Sequence, residues 1–455
     1  MPDIRNLSNC IEDVRLAGVD LDAGPPEPLP FHTLRGRLQA ARPQIAPLYR
    51  QNVVDPYART LDGFTESEFN AILTRDPRRL RTAGLLFDIA QAILQRGEGS
   101  PPKAIFAFQE VVSDLYDGFL SVEDRAGIEP PDIGSVPPMI KFGNPKDGPY
   151  TWPADATRNF GLQAAIVNLP PSNARGGLLA WAALGHETAG HDILHADTGL
   201  LSETSLAVRN ALLADPSTRD LAPYWAMRID ETASDVLGIL NMGPAAGIGL
   251  IGFFRGLNQA SGGTATLRND GPDSDLHPAD IVRGFLAASV VRMLEFRDAG
   301  AWADVIETET RKDVATIRLA GRTIDPEVAR KSAEIVGRTI VTRPMTSLEN
   351  HAFGQIQNWS DGDEAIVEQL RTTLSSAAAP LAGDLTDGVF AAHLVAATTV
   401  AALAQGAKVE MLFRRMLDLL EAMHERNPAF GPLLVRHPGD LARDLFYVPQ
   451  EVEAA

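Results

Sequence analysis

One six-residue segment, His186-Glu187-Thr188-Ala189-Gly190-His191, restricts the possible folds of this 455-residue chain more than any other. Apolar residues flank it over 178–184 and at 193–194, which predicts a helix in the protein interior. Histidine and glutamate are costly to bury without partners, and neutral imidazole is a preferred ligand of Zn²⁺. The segment therefore predicts a helix that contributes to a buried metal site.

The spacing of the two histidines differs by one residue from the usual H-E-x-x-H arrangement. In a regular α-helix, residues four apart differ by about 40° around the axis, whereas residues five apart differ by about 140°. His186 and His191 would then face different directions, so the helix must absorb one extra residue. A single π-turn does this, and such turns occur mostly at functional sites. Gly190 loosens the backbone at that point, so we expect the bulge there.

A catalytic zinc site needs three protein ligands, an open position for water and a base that takes the water's proton. Glu187, next to the first histidine, suits the role of general base. A third ligand is expected on a following helix, where the best candidate segment is Asp230-Glu231-Thr232-Ala233-Ser234-Asp235. Metal-assisted hydrolysis is therefore the leading hypothesis.

The two motifs resemble those of zincin-like metallopeptidases of the gluzincin type. The H-E-x-x-G-H form of the first is similar to the dipeptidyl peptidase III family, and E-x-x-x-D in the second is similar to thermolysin-like gluzincins. The resemblance covers roughly 60 residues. It implies one Zn²⁺ per chain held by His186, His191 and Glu231, with Glu187 as general base. It also implies that Asp235 orients a metal-bound histidine.

Two other metal sites are compatible with these residues. Glu187, His191 and His195 are spaced four apart and would form one stripe on an undistorted helix, although His186 would then have no role. Two histidines and one carboxylate can also hold Fe(II) for oxygen chemistry, but that chemistry has no need of a base at Glu187. Both remain alternatives to the bulged zinc helix.

Three further side chains are candidates for stabilising an oxyanion opposite the metal. His277 and Arg283 belong to a His-Pro segment with a following arginine, which resembles a segment downstream of the metal site in some membrane-associated zinc endopeptidases. Pro278 suits the first turn of a helix, so a cap residue and a surface arginine are the alternative. Arg283 is also a candidate substrate-binding residue. Tyr224, on the approach to Glu231, is the third candidate, with a core tyrosine as its alternative.

Short strands are predicted ahead of the metal helix, at 139–142 and 164–169, within a region rich in proline and glycine. Zincins have an edge strand in this position, where an extended peptide adds by backbone hydrogen bonding. We therefore expect residues 163–169 to form that edge and Asn168 to contact substrate, although an ordinary core strand fits equally well.

The overall expectation is a mainly α (α+β) fold, with a zincin-like helical metal core, a small sheet and additional helical lobes. Three regions are predicted, which are a helical N-terminal lobe (1–128), a metal-binding catalytic region (129–297) and a helical C-terminal region (298–455). Helical periodicity in the last region covers 326–340, 364–374, 385–404 and 409–424. That region is expected to form a wall of the cleft or an oligomer contact.

Composition restricts the classes of partner and the compartment expected for this chain. A net charge of −18 disfavours nucleic acid and anionic membranes, and the single Cys10 fits a reducing compartment. The apolar stretch 236–254 contains five glycines and a proline, so we expect two packed helices there, not a membrane span. With no apolar leader at the N-terminus, a cytoplasmic location is expected. The predicted function is a zinc metallopeptidase acting on a peptide. A zinc hydrolase of small amides or esters and a structural metal site are the alternatives.

Overall fold

Helices make up most of the structure, which confirms the predicted mainly α (α+β) class. The computed structural model describes residues 2–21, 30–73, 80–120, 125, 127–133, 136–145, 148–376 and 388–426. Two parts of the predicted C-terminal region lie outside the described residues, namely 377–387, which includes the first residues of the predicted helix 385–404, and 427 onward. No helix in the described part of the chain is long and apolar enough to cross a bilayer.

The helices before the first sheet pack into two different hydrophobic cores. In chain order they are α1 (Leu7–Val19), α2 (Phe31–Ala41), α3 (Pro47–Tyr49), α4 (Asp55–Asp62), α5 (Glu66–Leu73), α6 (Leu80–Glu98) and α7 (Ala104–Leu120). Six strands in the described residues form two small three-stranded sheets. The strands are β1 (Met139–Phe142), β2 (Tyr150–Trp152), β3 (Ile166–Leu169), β4 (Asp270–Gly271), β5 (Ile317–Leu319) and β6 (Arg322–Ile324).

The remaining helices lie between residues 154 and 426. Up to residue 291 they are α8 (Ala154–Thr157), α9 (Leu178–Ala182), α10 (Leu184–His186), α11 (Leu200–Ala214), α12 (Ala222–Met227), α13 (Ile229–Met242), α14 (Pro244–Ala260) and α15 (Asp280–Val291). Those that follow are α16 (Ala299–Lys312), α17 (Pro326–Thr342), α18 (Phe353–Ile356), α19 (Asp361–Ser375), α20 (Ala391–Leu403) and α21 (Val409–Arg426). The four C-terminal helices predicted from periodicity are therefore present as α17, α19, α20 and α21.

The first sheet has the strand order β1-β3-β2, with β1 parallel and β2 antiparallel to β3. The predicted strands 139–142 and 164–169 are thus confirmed as β1 and β3. The expectation that 163–169 forms the edge was wrong, because β3 is central and β2 lies at the edge. β2 was not predicted, since three residues that are half-buried on both faces give no apolar alternation to detect.

This sheet separates two hydrophobic cores. Side chains alternate across a strand, so Met139 and Ile166 enter a smaller core with helices α2–α6, whereas Ile140 and Val167 enter a larger one. The larger core also contains α1, α7 and the helices from α9 to α21. The larger core contains helices from both ends of the chain, so the two cores do not coincide with the predicted regions bounded at 128 and 297. Those domain boundaries stay predictions.

Helix α13 crosses the metal-motif helix α10 at a pair of glycines. A Cβ atom on Gly238 would lie 2.8 Å from the carbonyl carbon of Gly185 and 2.9 Å from the amide nitrogen of His186. Side chains at this crossing would therefore force the two backbones apart. The contact brings the helix with His186 against the helix with Glu231 and Asp235, so it positions the predicted site.

Glycines also explain the apolar stretch 236–254, which forms two packed helices as expected. Gly243, at φ +64°, makes the turn between α13 and α14 and lies against the indole of Trp359. Within α14, a Cβ on Gly249 would lie 2.9 Å from that of Ala182, and one on Gly256 would meet Val14. The glycines of α14 thus allow close approach to α9 and α1 in the core.

The glycine crossing gives a first prediction. Gly238→Ala should lower the free energy of unfolding by about 1–3 kcal/mol, because overpacking at backbone contact outweighs the gain of about 1 kcal/mol in helix propensity. Gly300→Ala is the matched control, since a Cβ there meets nothing within 4 Å. Urea denaturation followed by circular dichroism measures both. Equal midpoints for the two variants would contradict the tight crossing.

Candidate metal centre

The predicted bulge in the metal-motif helix is present. Residues Glu187–Asp192 form a π-helix directly after α10, and a turn at Ala183 separates α10 from α9. The π-helix widens the turn between His186 and His191, so their ring centroids come within 4.8 Å. Gly190 is required for a reason beyond backbone freedom, because a Cβ there would overlap the backbone and side chain of Ser234 on α13.

Three side chains on two elements meet at one point. The donor atoms of His186, His191 and Glu231 all lie within 4.8 Å of one another, and they form the one group of three such side chains found within the described ranges. His186 Nε2 is 3.3 Å from Glu231 Oε2, and His191 Nε2 is 3.6 Å from Glu231 Oε1. Both imidazoles therefore direct Nε2 toward the same carboxylate.

Carboxylates behind the histidines fix their orientation. His186 Nδ1 lies 2.8 Å from Asp235 Oδ1, and His191 Nδ1 lies 2.9 Å from Asp230 Oδ1. Arg283 in turn donates two hydrogen bonds of 2.7 Å to Asp235 through Nε and Nη2. Each Nδ1 is a donor in this arrangement, so each Nε2 is left as the free ligand atom. Asp235 thus lies where the resemblance implied, and Asp230 is a counterpart that sequence reasoning did not assign.

Arg283 lies at the cleft but is largely committed to this support. Its side chain is 5% exposed, pairs with the fully buried Asp235, and reaches only 4.0 Å from Glu231 Oε2. Its guanidinium also stacks over the ring of Phe254 at 4.4 Å. The structure therefore assigns it to the orientation of Asp235 more directly than to substrate contact.

Glu187 faces the same cleft from the first turn of the π-helix. The hydroxyl of Thr151, on the edge strand β2, lies 2.9 Å from both the carboxylate Oε2 and the backbone carbonyl of Glu187. With a single proton, the hydroxyl donates to one of these oxygens at a time. Sequence reasoning could not identify the contact with Thr151, because 36 residues separate it from Glu187.

The edge strand is anchored from its other face. Asp88 on α6 accepts hydrogen bonds from Tyr150 Oη at 2.8 Å and Trp152 Nε1 at 2.7 Å, and pairs with the buried Lys141 at 2.7 Å. Since side chains alternate along a strand, Tyr150 and Trp152 point toward α6 while Thr151 points toward Glu187. The smaller core thereby holds the strand that contacts the candidate base.

His277 approaches the centre from the loop before α15. Its Nε2 lies 3.4 Å from Glu231 Oε1, and its Nδ1 lies 3.0 Å from Asp275 Oδ1. The imidazole side chain is 55% exposed, so it borders the open side of the site. Pro278 does not occupy the first helical turn as expected, because α15 begins at Asp280.

His195 does not join the three donors. Both of its ring nitrogens lie against carboxylates, with Nδ1 3.2 Å from Asp155 and Nε2 3.3 Å from Asp230. The alternative stripe through Glu187, His191 and His195 required an undistorted helix, which the π-helix excludes. His195 instead extends the carboxylate support behind His191.

Two predicted site residues lie elsewhere. Tyr224 is 3% exposed, and its hydroxyl accepts a hydrogen bond of 2.8 Å from the backbone of Ala279, so it braces the loop after His277 from inside. Asn168 is fully buried in the central strand and donates to the carbonyl of Gly148 at 3.2 Å. Neither residue belongs to the cleft lining, because both side chains are buried and hydrogen-bonded to the backbone of neighbouring segments.

The electrostatics of the cluster favour positive charge at its centre. Burial lowers the pKa of His186, but Asp235 and Glu231 outweigh this and raise the pKa to about 10. Burial raises the pKa of Glu231, yet His186, His191 and Arg283 together hold it below its ordinary value. Carboxylates therefore surround the two imidazoles closely enough to stabilise a cation between them.

The donor set also fits a metal ion. Glu231 Oε2 is buried and accepts no hydrogen bond, although 3.3 Å from His186 Nε2, so it retains an unused lone pair at the centre of the cluster. Two imidazole nitrogens, which bind zinc once the rings have lost their extra proton, and one carboxylate form a typical catalytic zinc set. The residues present therefore fit one zinc ion, which His186, His191 and Glu231 would hold beside the cleft.

The cleft beside this cluster has a volume of about 800 Å³, within the range of small-molecule and peptide sites. The β2 region and the π-helix contribute one part of its lining, and α14 contributes an apolar part. These lining residues include Tyr150, Thr151, Glu187, Leu250, Phe253, Phe254, Leu257 and Asn258.

Comparison with known proteins found no match, either to a family model, to a curated protein or to a solved structure. The resemblance to gluzincins therefore rests on the two sequence motifs alone.

The geometry predicts which residues retain metal. Purified wild-type protein should hold about one zinc per chain after dialysis, measured by elemental analysis, and His186→Ala, His191→Ala and Glu231→Ala should lose it because each removes one of three donors.

His32→Ala is the matched control, since this exposed histidine lies outside the cluster. Full retention of zinc in Glu231→Ala would remove Glu231 from the ligand set. Loss of zinc in His195→Ala with the fold intact would mean that the three donors do not hold the metal by themselves.

Proposed function

We propose that this protein is a zinc-dependent hydrolase, and most specifically a metallopeptidase, with Glu187 as its general base. The observation that carries the proposal is the convergence of His186, His191 and Glu231 on one point with the Glu187 carboxylate in the same cleft. Zinc bound there would supply a Lewis acid that acidifies water and polarises a carbonyl group.

The chain's own residues then have separate tasks in hydrolysis. Glu187 takes a proton from the attacking water and passes it to the leaving amine as the C–N bond breaks, so the water is divided between the two products. Thr151 holds the carboxylate of Glu187 in place through its hydroxyl. His277, whose Nδ1 lies against Asp275, borders the open side beside Glu231, and its imidazolium form would donate from Nε2 to the oxyanion.

The edge strand β2 supports a peptide as the substrate. Its residues Tyr150 and Thr151 line the cleft, and β2 is the last strand in the described order of its sheet, so an extended chain bound in the cleft would run beside it. Prolines at 149 and 153 flank the strand, which limits pairing to a short segment. The predicted strand addition is therefore transferred from 163–169 to residues 150–152.

The alternatives are less well supported. A structural zinc site closes with four protein ligands, whereas three donors and a cleft of about 800 Å³ favour an open coordination position. A hydrolase of small amides or esters would use the same zinc and the same base, but has no need of a strand along the cleft.

The role of Glu187 gives a direct test. Glu187→Gln should retain zinc and the melting temperature while turnover falls by a factor of about 10³ or more, because an amide cannot accept the proton of water. Zinc-dependent cleavage of a library of internally quenched peptides measures turnover. Near-wild-type turnover in Glu187→Gln would remove it as base, and no cleavage by zinc-loaded wild type would contradict the peptidase proposal.

The contact from Thr151 gives a second test. Thr151→Val keeps the side-chain shape but loses the hydroxyl, so kcat should fall about 10-fold with zinc content unchanged, as expected when one hydrogen bond to a charged group is lost. Thr151→Ser retains the hydroxyl and should keep most of kcat. Equal kcat in the Val and Ser variants would mean that the hydroxyl does not position Glu187.

A further inference from the structure

We propose that helix α14 forms an apolar subsite, which binds a bulky apolar side chain of the substrate next to the hydrolysed bond. This inference rests on the proposed function and names the substrate class for the same site. Its basis is the row Leu250, Phe253, Phe254 and Leu257, which lines the cleft with the candidate metal ligands.

The row follows helical geometry. These four positions are spaced i, i+3, i+4 and i+7, so their side chains fall within a sector of about 100° on one side of α14. The glycines at 249, 252 and 256 fall in a different sector, where a Cβ on Gly252 would overlap Leu179 and one on Gly256 would overlap Val14.

This distribution differs from that of an ordinary core helix. In α14 the smallest residues make closest contact with α1 and α9, while large apolar residues border a water-accessible cleft. Phe254 and Leu257 are only partly buried, so their exposed faces are available to a ligand. Apolar surface of this kind in a cleft is favourable to cover and marks ligand-binding sites.

The subsite lies within reach of the reacting atoms. The Arg283 guanidinium is 4.4 Å from the centre of the Phe254 ring, and its Nη2 is 4.0 Å from Glu231 Oε2. One guanidinium therefore separates the aromatic wall from the metal ligand. A side chain attached beside a carbonyl at the metal would meet this wall before leaving the cleft.

Charge at the far end of the row is already neutralised. Asn258, one residue after Leu257, donates to Asp280 at 2.9 Å, and Asp280 pairs with Arg268 at 2.9 Å. Arg255 of α14 points elsewhere and pairs with Glu309 and Asp313. No unpaired cation in the described lining of this end is thus available to an acidic substrate side chain, whereas an apolar one loses no partner.

Binding of small zinc-directed ligands tests the subsite without a known substrate. The probes are four N-methylamide succinyl hydroxamates that differ only in the side chain next to the amide, which is isobutyl, benzyl, hydrogen or carboxymethyl. Calorimetry on the zinc-loaded protein should give Kd values for isobutyl and benzyl about 10- to 100-fold below that for hydrogen, as burial of a Leu or Phe side chain predicts. Carboxymethyl should bind most weakly.

Variants locate the effect on α14. Leu257→Asp should abolish the preference for isobutyl and benzyl over hydrogen. Phe254→Ala should reduce the preference for benzyl most, with zinc content and melting temperature as checks of folding. Leu206→Asp is the control, since Leu206 is 54% exposed on α11 and lies outside the cleft lining.

The possible failures are distinguishable. Equal affinity for all four hydroxamates, or preference for carboxymethyl, would overturn the apolar subsite and leave the zinc hydrolase in place. Failure of the wild type to retain zinc, or to bind any of the four hydroxamates once loaded, would overturn the proposed function itself.

Discussion

The contact between the π-helical segment and helix α13 is the constraint on which the candidate site depends. At Gly190 the π-helix touches Ser234, and at Gly185 the preceding helix touches Gly238, so no side chain of the metal-motif segment separates it from α13 at these two points. The two contacts hold His186 and His191 against the turn of α13 that carries Glu231 and Asp235. One extra residue in the motif is therefore tolerated because the neighbouring helix fills the space that the widened turn would otherwise leave.

Around this contact, two aspartates lie against the Nδ1 atoms of the imidazoles, and Glu231 faces their Nε2 atoms. Asp235 with Arg283, and Asp230 with His195, form two separate supports, one for each histidine. Such buried polar groups are costly unless every member is paired. Glu231 Oε2 is the exception, and its unused lone pair lies where a cation would satisfy it. This lone pair supports the proposed metal site.

Sequence reasoning succeeded where local chemistry determines the outcome. The five-residue spacing of His186 and His191 required a helical bulge, and the period of the C-terminal helices gave their limits to within a few residues, apart from the start of α20. It failed where tertiary packing decides. Asn168 and Tyr224 carry groups suited to a site, but the sheet order buries one and the loop at Ala279 occupies the other. Asp230 and Thr151 gave no sequence signal, because their roles depend on contacts with residues 36 or more positions away.

The two walls of the cleft differ in how the fold produces them. β2 is held by Asp88 from the smaller core, so the strand edge and the hydroxyl of Thr151 are positioned by helices that contribute nothing else to the site. α14 belongs to the larger core. Its glycines make the close contacts with α1 and α9, while a row of its large apolar side chains lines the cleft. Backbone recognition and side-chain recognition would therefore be supplied by different cores. A change in the smaller core should then affect the position of the base, while a change along α14 should affect which side chains are accepted.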